Sequence, residues 1–484
     1  MRVFALLLAL FTAVLPRAHG QALPDLGEGS GGTLPPQIER KIGESILRDI
    51  RLRDPTFLDD PEVADYLNQL GGRLVAAVPG AQQEFEFFAV RDSTINAFAL
   101  PGGFVGVHTG LIAAAESESE LASVLAHEIS HVTQRHIARM LGAQQQIQLP
   151  AMVAMAAAIL LGRSRPDLAQ GAMMAAQGAA VQSQLSYSRD FEREADRIGF
   201  QRLSGAGFDV RAMESFFEKM QRSTRVVDDG SVPGYLRSHP VSTERIADAQ
   251  ARAATLPYRQ HLDSLEFHLV RAKLRAESGE ARDAVTEFSS AVRERRFANE
   301  AAARYGLVVA LLRAKQPRDA ERELARLQPL GVSSPMLVTL TARVHRALGD
   351  GARALAVLKE GAERWQNRRP IAYAYAEALE TQGRNDEALA YLTAQVRLYP
   401  RDDRLREMMA KAYAALGKRL QQHQAQAEVY ALRGSLPAAI EQLQLAQAAG
   451  DGNFYELSAV EARLKELRAE HSRDLRESRE ARKK

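Results

Sequence analysis

The 484-residue chain is 46% hydrophobic and 25% charged, the balance of a soluble globular protein, with apolar material for two cores. Its net charge of +3 and pI of about 9.0 owe much to a basic C-terminal end, which argues against a dedicated nucleic-acid binder. There is no cysteine, which excludes thiol chemistry, disulfides and a lipid-modified N-terminal cysteine and suits an oxidising compartment.

The chain opens with Met1-Arg2, an apolar run from Val3 to Leu15, and the small-x-small site Ala18-His19-Gly20. This three-part pattern predicts a secretory signal peptide over 1–20, cleaved before Gln21. The apolar run is too short for a spanning helix, which needs about 20 residues. The bacterial periplasm is the expected destination. Residues 21–36 are rich in Gly and Pro and read as a flexible linker. Ile42, Ile46 and Ile50 recur at helical spacing within Glu39–Leu52, and Pro61–Val78 reads as a second helix. Phe85, Phe87 and Ala89 then alternate with positions expected to be more exposed, as in a strand. Asn96–Val107 holds two extended pieces around the turn signal Pro101-Gly102-Gly103.

Ser117–Met140 is predicted as one helix, with Ser117 and Glu120 as a capping box. The apolar segment 149–161, including Ala151–Leu161, is too short to cross a bilayer. It reads as a buried helix or hairpin, or as a flap facing membrane or substrate. A further helix carries Phe191–Leu203, and Val226–Pro233 is a loop. From Tyr258 the pattern becomes wholly helical. Gly349, Ala354 and Leu358 return as Gly383, Ala388 and Leu392, each 34 positions later. Gly279, Ala284 and Phe288 share the internal spacing, and Ala320 and Leu324 keep the phase with Lys315 in the glycine slot. After Gly417 the phase degrades, with Gln422 in place of the alanine; it returns at Gly434, Ala439 and Leu443. This period resembles the tetratricopeptide repeat: glycine closes one helix, and a small alanine lets the next pack closely. The tail from Lys465 to Lys484 alternates acids and bases and reads as a solvated helix end.

The chemistry is carried by His127-Glu128-Ile129-Ser130-His131. Residues four apart share a helix face, so His127 and His131 can grip one zinc ion while Glu128 reaches a water beside it. A catalytic zinc needs a third protein ligand and an open position. His136 lies five past His131 and is read as facing elsewhere, a structural or surface residue. The acidic candidates lie in Ser188–Asp196. Glu192 and Asp196 share a face, so one can ligate zinc while the other accepts the second N–H of a ligand histidine. Glu194 lies on a different face. Asn96, Phe98, Phe104 and Val105 form the candidate substrate edge, where an extended peptide can pair through its backbone; equally, they can simply complete a small sheet.

HEISH, the pair Glu192 and Asp196, Ser238-His239-Pro240 and Glu244-Arg245-Ile246 together resemble the zinc peptidase family of the heat-shock protease HtpX and the CAAX prenyl endoproteases. The leader and the C-terminal repeats resemble its periplasmic branch that acts in outer-membrane β-barrel assembly. The resemblance implies Glu192 as third zinc ligand and Asp196 as partner of a ligand histidine. It also implies that a histidine near His239 can fill the open zinc position and hold the enzyme inactive. A substrate-binding or oxyanion-stabilising role, or a plain turn residue, are the alternatives for His239.

The expected architecture is an α+β zincin-like metallopeptidase domain, mostly helical with a small sheet, over 37–257, followed by an all-α tetratricopeptide-repeat solenoid over 258–484. The expected cofactor is one Zn2+ per chain, with Glu128 and Asp196 as catalytic residues. Expected partners are unfolded or stalled outer-membrane proteins as substrates and the β-barrel assembly machinery through the repeats. No nucleic acid is expected, and peripheral membrane contact is left open. A chaperone or assembly scaffold whose peptidase is normally auto-inhibited is the rival reading.

Overall fold

The computed structural model describes residues 34–78, 83–143, 189–226 and 234–481. The expected leader 1–20, the linker up to residue 33, the apolar segment 149–161 and the loop beyond Val226 lie outside the described residues. Two helices come first, α1 (Pro36–Arg53) and α2 (Pro61–Ala76). Asp60 caps α2, its side chain accepting from the N–H groups of Glu62 and Val63, which satisfies donors that a helix start leaves open. Strands β1 (Glu86–Val90), β2 (Ala97–Leu100) and β3 (Phe104–His108) form one sheet in the order β1-β3-β2. β3 is central, parallel to β1 and antiparallel to β2. The turn expected at Pro101-Gly102-Gly103 joins β2 to β3, with Gly102 and Gly103 at φ of +80° and +102°.

β1 departs from the expected alternation: Phe87, Phe88, Ala89 and Val90 are all buried. Both faces of the sheet are covered. Phe88 and Val90 pack with Ile42, Ile46 and Ile50 of α1, while Phe87 and Ala89 join the main core with Leu67 and Leu70 of α2. A strand covered on both sides has no reason to alternate.

The next helices are α3 (Thr109–Ala114), α4 (Glu118–Thr133) and α5 (His136–Ala143). Ser117 caps α4 by accepting from Glu120 N–H. The Glu120 carboxylate reaches back to Glu116 N–H at 2.8 Å, one residue before the position a capping box would use. The single helix expected over Ser117–Met140 is two. The chain breaks at Gln134-Arg135, where Arg135 has φ of +54°. The Arg135 guanidinium is held by Glu39 of α1, which it meets at 2.8 Å through Nε, and by the Leu34 carbonyl. α6 (Arg189–Gly205), α7 (Arg211–Val226), α8 (Gly234–Ser238) and α9 (Thr243–Ala254) complete this part.

The rest is helical throughout: α10 (Leu265–Glu277), α11 (Ala281–Arg293), α12 (Glu300–Arg313), α13 (Pro317–Ala325), α14 (Pro335–Ala347), α15 (Gly351–Arg364), α16 (Arg369–Thr381), α17 (Asn385–Leu398), α18 (Asp403–Ala415), α19 (Arg419–Leu432), α20 (Leu436–Ala448) and α21 (Phe454–Ala481). The repeat glycines Gly279, Gly349, Gly383, Gly417 and Gly434 all take positive φ, and Lys315 in the glycine slot does too, at +60°. The alanines Ala284, Ala320, Ala354, Ala388 and Ala439 are all buried. The composition holds apolar material for two cores. Among the described residues the largest apolar cluster runs from Leu58 and Leu67 through Phe267 and Tyr305 to Val344. Among the described residues no helix is long and apolar enough to cross a membrane.

Candidate metal centre

α4 is buried on every side from Glu118 to Val132. Helix α6 crosses it at Gly199, where a Cβ would sit 3.2 Å from Ala126 C and from His127 N. This close approach turns Glu192 and Asp196, one helical turn apart, toward the α4 histidines. His239 follows the short α8, its N–H bonded to the Tyr235 carbonyl at 2.8 Å, and Pro240 holds the next step extended. His127, His131, Glu192 and His239 are each at most 3% exposed.

Their ligand-type atoms converge within 4.8 Å of one another. His127 Nε2 is 2.9 Å from His131 Nε2 and 3.3 Å from His239 Nδ1. Glu192 Oε2 is 3.4 Å from His127 Nε2, and Glu192 Oε1 is 3.4 Å from His131 Nε2 and 3.0 Å from His239 Nδ1. A tetrahedral ion with bonds of about 2.0–2.2 Å sets its ligand atoms about 3.3–3.6 Å apart, close to the spacing of this donor set. Glu128, fully buried, has no hydrogen-bond partner on either carboxylate oxygen; His239 Nε2 stands 3.4 Å from Glu128 Oε1. Glu192 Oε2 also lacks a hydrogen bond, but it is ion-paired with Arg245 Nη1 at 2.9 Å. The Glu128 carboxylate, buried without a hydrogen bond, points to a group not supplied by the protein.

The surroundings fix the rings. His127 Nδ1 meets Asp196 Oδ1 at 2.9 Å, leaving Nε2 toward the cluster. Arg245 of α9 grips Asp196 twice, donating from Nε to Oδ2 at 2.6 Å and from Nη2 to Oδ1 at 2.7 Å. Its Nη1 donates to the Pro240 carbonyl at 2.8 Å, next to His239. Burial opposes charge on His127, yet the carboxylates of Asp196 and Glu192 outweigh it and lift the ring to about 9. Burial also works against the Glu192 carboxylate, but His239, His127 and His131 hold it well below the usual carboxylate range. Burial, with His127 and His239 adding to it, drives His131 well below the ordinary histidine value.

His136 departs from the expectation that it faces elsewhere. The break at Arg135 turns it back, and its Nδ1 lies 2.8 Å from His131 Nδ1. Its Nε2 lies 3.1 Å from Glu194 Oε2, and Phe191 stacks on its ring. Sequence reading also left Arg245 without a role, although it lay in the Glu244-Arg245-Ile246 motif, and it passed over Tyr235. The Tyr235 ring is fully buried 4.9 Å from His239, its hydroxyl has no hydrogen-bond partner, and burial pushes that phenol well above its ordinary value.

The candidate substrate edge divides. Asn96 directly precedes β2 and Phe98 lies within it, on the outer strand of the sheet. Phe104 and Val105 are instead on the central strand, each paired with β1 and with β2. Their backbone is paired on both sides, so of these four residues only Asn96 and Phe98 lie at an outer edge of the sheet. Tyr235 N–H bonds to Ile95 O at 3.2 Å, which sets the start of β2 beside α8 and the histidine cluster.

A family model for peptidase family M48 matches residues 61–253, and one for the tetratricopeptide repeat matches 234–401. The chain is 34% identical over 451 residues to the beta-barrel assembly-enhancing protease of Yersinia pestis, covering 92% of this chain and 91% of that protein. It is 32% identical over 453 residues to the beta-barrel assembly-enhancing protease of Escherichia coli K12, with the same coverage, 92% and 91%. It is 31% identical over 181 residues to the mitochondrial metalloendopeptidase OMA1 of Schizosaccharomyces pombe, covering 37% of this chain and 50% of that one.

Proposed function

The chain belongs to peptidase family M48, in the group of the β-barrel assembly-enhancing proteases, and is a metalloendopeptidase; on that premise we propose that it is a periplasmic zinc enzyme that degrades misfolded or stalled envelope and outer-membrane proteins and assists β-barrel assembly. The observation that carries the site assignment is the convergence of His127, His131, Glu192 and His239 within 4.8 Å in a fully buried pocket. His127, His131 and Glu192 hold the ion. Zinc, when bound, supplies Lewis acidity for attack of water on a peptide carbonyl. Glu128, whose oxygens accept no hydrogen bond from the protein, takes the proton of the attacking water and passes it to the leaving amine. Asp196 fixes the His127 ring, and Arg245 fixes Asp196. The open edge of β2 receives the substrate as an added strand, which suits clients with unpaired strand edges. The peptidase unit spans 37–257 behind a cleaved leader over 1–20, and the repeats over 258–484 recruit clients or the assembly machinery.

The test is metal analysis with a degradation assay on purified protein. One zinc per chain is expected in the parent. His127→Ala and Glu192→Ala lose it, whereas Glu128→Gln keeps the metal and loses hydrolysis. Stoichiometric zinc in His127→Ala would remove this assignment.

A second reading, that the protein is mainly a chaperone or scaffold with a restrained peptidase, is favoured by His239 standing among the three ligands, 3.0 Å from Glu192 Oε1. Glu128→Gln decides between them in cells lacking the parent: restored outer-membrane assembly means binding dominates, and its loss means proteolysis does.

A further inference from the structure

His131 and His127 occupy equivalent places on one helix, but their outer nitrogens meet different chemistry. His127 Nδ1 faces a carboxylate, Asp196 Oδ1 at 2.9 Å. His131 Nδ1 faces another imidazole, His136 Nδ1 at 2.8 Å. Two ring nitrogens at that distance share one proton, so one donates and the other accepts. The far side of His136 decides which. Its Nε2 lies 3.1 Å from Glu194 Oε2, and a carboxylate oxygen accepts, so Nε2 carries hydrogen. In the neutral ring Nδ1 is then a lone pair and must accept from His131 Nδ1–H. His131 Nε2 is thereby left bare, and it points into the cluster, 2.9 Å from His127 Nε2 and 3.4 Å from Glu192 Oε1. The opposite pattern puts the His131 proton on Nε2, aimed at the other ligand atoms.

Resting on the site assignment proposed above, we infer that His136, oriented by Glu194, is a positioning residue that accepts the Nδ1–H of His131 and so fixes the tautomer in which His131 Nε2 ligates the metal. The arrangement is built. His136 is fully buried, its ring lies 4.5 Å from that of Phe191 and within 13° of parallel, and Arg139 Nη1 donates to the same Glu194 oxygen at 2.8 Å. Helix α5 supplies His136 and Arg139, while α6 supplies Phe191, Glu194 and the ligand Glu192. The chain of hydrogen bonds therefore ties α5 to the helix that bears the third ligand.

The test measures Zn2+ affinity by competition with a chromophoric chelator and Zn2+ release into excess EDTA, beside the unfolding midpoint of each metal-free protein. His136→Phe keeps a flat ring against Phe191 and removes the acceptor. It should bind Zn2+ roughly 10–100-fold more weakly and release it faster, as loss of a ligand's hydrogen-bond partner does in other metal sites. His136→Asn places an amide oxygen near the lost Nδ1 and should recover affinity to within about threefold of the parent. Glu194→Leu should show a smaller loss. In the Co2+-loaded protein, the hyperfine-shifted N–H proton of one ligand histidine should exchange with water faster in His136→Phe and be protected again in His136→Asn. Parent-like affinity in His136→Phe, or equal losses in His136→Phe and His136→Asn, overturns the inference while His131→Ala still abolishes binding and upholds the site. A parent that binds no Zn2+ overturns both.

Discussion

Asp196 serves two partners at once, His127 through Oδ1 and Arg245 through both oxygens. Arg245 thus stands behind the carboxylate that orients His127, the proposed metal ligand, in the planar two-point geometry that lysine cannot reproduce. Arg245→Lys and Arg245→Met should each weaken metal binding by roughly 10-fold or more, measured by chelator competition; parent-like affinity in Arg245→Lys would show that charge alone suffices. His239 calls for a test of sign. Its Nδ1 lies among the candidate ligand atoms; on the proposed restraint, in which it takes up the open position, His239→Ala should cleave casein and itself faster than the parent. A slower His239→Ala, with zinc content and folding unchanged, would make it a group that stabilises the transition state. Offsets of four put His127 and His131 on one helix face and Glu192 and Asp196 on another, with Glu128 next to His127, so spacing nominated the group; which carboxylate ligates and which orients a histidine came only from the family resemblance. Arg245 and His136 were not legible in that way: one acts across elements, and the other depends on a break that periodicity does not register.

That break shows what pattern reading loses at the level of elements. The apolar period continues through Thr133, but Arg135 takes a left-handed backbone held in place by Glu39 of a distant helix, and a tertiary contact of that kind leaves no local signal. The repeats are the opposite case, since the 34-residue phase follows from a backbone requirement at each helix end. Lys315 is where the requirement and the residue disagree, an exposed side chain at φ +60°. Lys315→Gly should raise stability by about 1 kcal/mol, the strain of a left-handed L-residue, read from denaturant unfolding; no gain would show that the site relaxes without it. The crossing of α4 and α6 is the element-level constraint on the metal centre. Gly199→Val would press methyl groups onto the backbone of Ala126 and His127. It should cost about 1–3 kcal/mol by overpacking and lower metal affinity by moving Glu192 from the histidines. A variant that is destabilised yet keeps parent metal affinity would show that α6 moves without carrying Glu192 away.

Across the whole molecule, the acidic start of α2 is gripped by the repeats. Lys273 of α10 reaches Asp60 at 2.5 Å and Glu62 at 2.6 Å, Thr339 of α14 donates to Glu62, and Arg368 reaches Asp65 at 2.6 Å. Burial works against charge on Lys273, but Glu62 and Asp60 outweigh it and raise the ammonium above its ordinary 10.5. The folded state therefore holds this proton more tightly than the unfolded chain does. Its contribution is complete below 10.5 and is lost as pH rises through the folded value. Lys273→Met leaves two carboxylates facing each other without their cation and should cost about 3 kcal/mol near neutrality. It should also flatten the alkaline fall in unfolding midpoint relative to the parent. An equally steep fall in both proteins would assign that limb to other groups, such as the buried tyrosines. The sequence announced a change of character near Tyr258, but not that the two parts share a core. Composition and period report on neighbours along the chain, whereas the packing of α10, which carries Phe267, against α2 is a matter of docking.

A helical array free in solution behaves like a spring, each unit touching only the next, so it can fray from either end. Here the coil is also fastened to the peptidase further along, where Arg401 reaches Glu44, Arg404 reaches Asp59 and Arg48 donates to the Gly434 carbonyl. Those outer ties are exposed and individually weak, while the inner ones are buried. The array should therefore lose its amide protection in stages under hydrogen exchange, the helices after α19 opening first. The helices from α10 to α14 should open only together with α2 and α4, so that this stretch melts as part of the enzyme and not as an appendage to it.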